Sequence, residues 1–194
     1  MLTPPSRSLR GPLLGLLTAF VVPSLAAQEP TVPAGIQSEL SRDLGVLEQK
    51  YLSLADVMTE HFAWRPNEDT RSVSEVFTHV GGANLYIPVA FGVEPPAGKE
   101  VASFEEAFAR MGEMERITDP EAVVASLRGG LAHARHAIAA VPVSELDDEV
   151  TIFGQQMTKR EGLVLLVTHM HEHLGQAVAY ARMNGVVPPW SAGG

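Results

Sequence analysis

From Thr158 to Gly185 the chain carries one unbroken helical pattern, and this segment constrains the fold more than any other. It opens with Thr158-Lys159-Arg160-Glu161, in which a threonine and a glutamate three residues on can satisfy each other's free backbone donors. It closes at Asn184-Gly185, with Pro188-Pro189 beyond to stop propagation. Leu163, Leu166, Val167, Met170, Leu174, Ala177 and Ala181 fall on one side of it. At about 100° per residue that stripe faces a core. A helix of this length crosses a small domain from end to end, so its partners must be long helices too.

Those partners are visible upstream. Leu40, Leu44, Leu47, Tyr51, Leu54, Ala55 and Met58 recur at helical spacing, in a segment that should end near Trp64. Ser72-Val73-Ser74-Glu75 is a second capping box, followed by the stripe Val73, Val76, Phe77, Val80, Asn84 and Ile87. Pro88 should end or kink that helix. Gly81 and Gly82 lie inside it; they either admit a close neighbour or mark a weak spot. A short helix is expected from Ser103 to about Met114, with Ser103 and Glu106 as its capping box. Asp119 and Pro120 start a third long helix, with Val123, Val124, Leu127, Leu131, Ala134 and Ile138 inward and an end before Pro142. Val143 to Gln156 reads as a loop with one short extended piece at Val150–Phe153. Four long amphipathic helices and no competing strand predict an all-α four-helix bundle over residues 36–190.

Residues 1–27 are not read as part of that bundle. Arg7 and Arg10 precede an apolar run from Leu13 to Val22, and Pro23-Ser24-Leu25-Ala26-Ala27 supplies a small-residue exit. This is the layout of a secretory signal peptide cleaved near Ala26 or Ala27. The apolar run is short for a membrane span, which needs about 20 residues, so no stable span is expected, although an uncleaved anchor is the rival reading. The protein is therefore expected to be exported, to a periplasmic or extracellular location. Residues 28–35, with Pro30 and Pro33, form a linker. The chain has no cysteine, which excludes a lipoprotein anchor and thiolate metal ligation. Its formal net charge of −9, without a basic stripe, argues against a nucleic-acid partner. A homodimer is left open.

The chemistry concentrates in His169-Met170-His171-Glu172-His173. His169 and His173 are one helical turn apart and share a face, where two imidazoles can reach one ion. Without thiolates, a site of histidines and carboxylates suits Zn, Ni, Mn or Fe. Gln176 and Tyr180 continue the same stripe, to one side of the apolar one, either supporting ligands, touching substrate or simply packing. His171 falls on the opposite flank, and Glu172 points away from the core. On the second helix His79 lies about 120° from the apolar stripe. If the two helices are neighbours, His79, His169 and His173 can converge, and three imidazoles with an open position is the arrangement of a catalytic rather than a structural site. His133 and His136 lie off the third helix's apolar arc and read as solvated, while His61 reads as a complement to a helix C-terminus. The same five residues fit the H-x-x-E-H pattern of inverted zinc peptidases, with Glu172 as base. That pattern needs a carboxylate ligand well downstream, and residues 174–194 contain no Asp or Glu.

Three segments together resemble the DinB-like (DinB/YfiT) superfamily of metal-binding four-helix bundles. They are Trp64-Arg65-Pro66 leading into Ser72–Val80, His169-x-x-x-His173-x-Gly175-Gln176, and Tyr180-Ala181-Arg182-Met183-Asn184-Gly185-Val186-Val187-Pro188-Pro189. The resemblance implies a divalent metal held by His79, His169 and His173. It also implies a thiol-dependent transferase, an isomerase or a metal-dependent hydrolase acting on a small molecule, although export would separate the protein from cytosolic thiol cofactors. The rival class is a non-catalytic metal-binding or interaction module.

Overall fold

The computed structural model describes residues 35–191 together with Met1. The expected signal peptide, and all but the last residue of the expected linker, lie outside the described residues. Among these residues the chain forms five α-helices and one small hairpin: α1 (Ile36–Met58), α2 (Val73–Tyr86), α3 (Phe104–Met114), α4 (Pro120–Ala140), β1 (Glu149–Ile152), β2 (Gln155–Thr158) and α5 (Lys159–Met183).

Four of the helices make the bundle. α1 packs against α4 and α5, and α2 packs against the same two. The apolar stripes meet inside: the named residues of α1 and α5 are buried, as are Val73, Val76, Phe77, Val80, Asn84 and Ile87. On α4 Val123, Leu127, Leu131, Ala134 and Ile138 are buried, whereas Val124, expected inside, is only half-buried. Polar ties fix the register. Gln37 Nε2 donates to the carbonyls of Ile138 at 2.5 Å and Val141 at 2.9 Å, joining the start of α1 to the end of α4. Tyr51 Oη donates to the Met170 carbonyl at 2.6 Å, joining α1 to α5.

The glycines of α2 are contact points. A Cβ on Gly130 of α4 would stand 2.3 Å from the Gly81 carbonyl oxygen, and one on Gly82 would stand 3.3 Å from Met111 Cα of α3. Bare backbone at these positions lets α2 approach a neighbour on two sides.

Helix ends follow their capping residues with small departures. α1 stops at Met58, where its apolar stripe ends, and a 3-10 turn, Thr59–His61, carries the chain on, so the α-helix ends short of the expected Trp64. α2 ends at Tyr86, and Pro88 sits in the 3-10 turn Ile87–Phe91. Asp119 caps α4 by accepting from Ala122 N at 2.9 Å. Ser103 accepts from Glu106 N at 3.2 Å, but the Glu106 carboxylate reaches back to Ala102 N rather than Ser103 N, so only half of that expected box forms.

Two expectations are corrected. The loop after α4 contains an antiparallel hairpin, β1 with β2, where one isolated extended piece was expected. Its two-residue turn places Phe153 at φ 50° and Gly154 at φ 76°, the paired left-handed conformation whose twist matches the strands. His133 is buried at 4% exposure, not solvated, because α1 and α2 both pack on α4 and the cover extends past its apolar arc; His136 is exposed as expected. No helix among the described residues is long and apolar enough to cross a membrane.

Candidate metal centre

The capping box of α2 sets the direction in which His79 emerges. Ser72 Oγ accepts from Glu75 N at 3.3 Å and the Glu75 carboxylate accepts from Ser72 N at 2.7 Å. With the helix phase fixed there, the apolar side of α2 turns inward and His79 projects toward α5. His169 and His173 project back from α5.

The three rings meet. Their centroids are 5.0 Å apart for His79 and His169, 4.6 Å for His79 and His173, and 4.5 Å for His169 and His173. One ring nitrogen from each lies within 4.8 Å of the others, and His79 Nε2 is 3.1 Å from His169 Nε2. His173 is buried; the other two are half-buried.

Neighbouring groups select which nitrogens face inward. His79 Nδ1 lies 2.8 Å from Glu115 Oε1, and a carboxylate can only accept, so the proton sits on Nδ1 and Nε2 keeps its lone pair. His173 Nδ1 donates to Gln176 Oε1 at 2.9 Å, which leaves its Nε2 free in the same way. Gln176 Nε2 donates in turn to Tyr180 Oη at 2.9 Å, and Trp64 meets the Tyr180 ring edge-on at 5.3 Å. Gln176 therefore holds the His173 ring, and Tyr180 holds Gln176. His169 Nδ1 is buried without a partner among the described residues.

Electrostatics favour the neutral rings that a metal needs. Burial, reinforced by the neighbouring His173, His79 and Arg71, pushes His169 down to about 3. Burial and then Arg71 also lower His79, against the opposing pull of Glu115. Burial alone would raise the Glu115 carboxyl, but the bonds and charges of Arg71 and His79 hold it below the ordinary value. Arg71 meets Glu115 through two nitrogens, Nε at 2.9 Å and Nη2 at 3.1 Å.

His171 lies on the other flank, with Nε2 2.8 Å from Asp43 Oδ2 of α1, and Glu172 is exposed. The inverted-peptidase arrangement is thus not formed. His61 closes the 3-10 turn after α1, and His133 lies on α4; neither joins the cluster.

The spacing of the chain did not point to Arg71 or Glu115. One signal was present: Glu115 sits at the C-terminal end of α3, where the helix dipole disfavours an acid, so a compensating cation was to be expected nearby.

A helical bundle that brings three imidazoles to one point is a scaffold able to hold an ion. The DinB superfamily model matches residues 45–177, more than half the chain and a span that includes all three histidines, and the chain belongs to that superfamily. No curated protein matches it.

Proposed function

We propose that this protein binds one divalent cation through Nε2 of His79, His169 and His173, and acts on a small molecule as an exported metal-dependent hydrolase or transferase. The observation that carries the reading is the convergence of three ring nitrogens within 4.8 Å, with the Nδ1 atoms of His79 and His173 already committed elsewhere. Three protein ligands leave a coordination position for water or substrate. A cation held there supplies Lewis acidity, lowering the pKa of a bound water or polarising a substrate oxygen. Glu115 and Gln176 hold two of the rings in the binding tautomer and orientation. Export is supported by the Arg7/Arg10 region, the apolar run and the Ala26-Ala27 exit. The metal is drawn from Zn, Ni, Mn and Fe by the absence of thiolates.

One observation favours the second reading, a metal-binding module without turnover. Glu115, the carboxylate that touches the cluster, has both oxygens engaged by Arg71 and His79, so it is not free to serve as a general base. Turnover of a substrate panel that is lost on chelation and restored by metal separates the two.

The metal site itself is tested by elemental analysis and calorimetry with Zn²⁺ on the wild type and on His79→Ala, His169→Ala and His173→Ala. Each substitution should weaken binding severely while circular dichroism stays helical, because the apolar stripes hold the bundle. Full metal occupancy in His79→Ala would overturn the three-histidine site.

A further inference from the structure

We infer that Glu115 is a positioning residue that couples metal occupancy to the docking of α3, an inference that rests on the three-histidine site proposed above. α3 stands outside the four-helix bundle and packs on α2. Only Ala107 and Met111 of its residues are buried; Phe104 and Met114 are half-buried against the core, and Phe108, 58% exposed, touches Phe153 of the hairpin turn. At its C-terminal end Glu115 takes one bond from His79 Nδ1 and two from Arg71. A carboxylate there works against the helix dipole, whereas cations beyond it, the Arg71 guanidinium and an ion at the histidine cluster, work with that dipole.

The link to the ion runs through one imidazole. A cation on His79 Nε2 withdraws charge from the ring and makes Nδ1–H a stronger donor to Glu115. Glu115 in turn fixes the ring and raises the basicity of Nε2. The coupling is reciprocal: the factor by which Glu115 tightens metal binding is the factor by which metal tightens the hold on α3. Gln176 cannot do this, because it lies on the same helix as the His173 it supports, and His169 Nδ1 has no partner among the described residues. Glu115 thus joins the cluster to an element outside the bundle.

The test measures Zn²⁺ affinity by competition with a chromophoric chelator, and hydrogen exchange of α3 with and without Zn²⁺, on the full chain. In the wild type Zn²⁺ should slow exchange in the last turn of α3. Glu115→Gln keeps the shape and removes the charge; it should lower Zn²⁺ affinity about 10–100-fold. It should also abolish the response of α3 while α5 still responds. Arg71→Gln, which leaves Glu115 on His79, should keep the response of α3. Zn²⁺ affinity in Glu115→Gln equal to that of the wild type would overturn the inference, as would α3 exchange indifferent to bound Zn²⁺ in the wild type; the latter decides without any variant. Failure of the wild type to bind Zn²⁺ at all would instead sink the metal site on which it rests.

Discussion

Gly130 of α4 lies so close to Gly81 of α2 that a Cβ on it would come within 2.3 Å of the Gly81 carbonyl oxygen and 2.7 Å of its Cα. These are backbone atoms of a packed helix and cannot swing away as a side-chain tip can. The contact sets how near α2 stands to the rest of the bundle, and α2 carries His79.

Gly130→Ala should therefore destabilise the protein by about 1–3 kcal/mol through overpacking. Gly129→Ala, one position earlier, meets nothing within 4 Å and should be neutral or stabilising by up to about 1 kcal/mol, since alanine is the better helix former. Urea unfolding of the two variants checks this contrast; equal effects would refute the packing account.

His171→Ala should leave Zn²⁺ affinity intact although it sits between two proposed ligands. Its ring faces Asp43 on the surface, and a two-residue step on a helix rotates by about 200°. The loss of that exposed contact should change stability by no more than about 0.5 kcal/mol. Calorimetry on the variant decides; a severe loss of binding would mean that the pair has been assigned to the wrong histidines.

His133 predicts an acid weakness unrelated to metal. Burial, with a smaller push from His136, lowers it from 6.5 to about 4 in the folded chain, so the unfolded chain takes up a proton first on acidification. Its contribution is whole above the unfolded value and is lost as the pH falls from about 6.5 toward about 4, by an amount on the order of 3 kcal/mol. His133→Leu should shrink the stability difference between neutral and acidic pH, measured by urea unfolding at each. An unchanged difference would show that His133 is not the group responsible.

Much of the bundle was legible because its information is local. Ser72, Asp119 and Thr158 cap their helices in the sequence positions that announce them, and the stripes of α1 and α5 need only a 3.6-residue period to be read. The angular offsets of His79, His169 and His173 were equally readable. That the three converge depends on α2 lying beside α5, which no single helix encodes; from the residues alone it was only a condition, and the family resemblance named the three together. The hairpin was hidden for a different reason: β2 (Gln-Gln-Met-Thr) has no apolar alternation, and its turn uses Phe153-Gly154 in place of the usual asparagine and glycine. His133 was misread because its burial comes from the neighbours that pack over it, not from its position on the stripe. Glu115 was missed because its partners lie 36 and 44 residues away.

Ninety residues separate His79 from His169, and the geometry that unites them exists only once α2 has settled against α5. A chain still unfolded offers an ion only the adjacent pair on α5, and even that pair is aligned only where the segment is already helical. A cation held by all three rings would therefore bind the folded bundle in preference to the unfolded chain, and its binding would add to the stability of the fold.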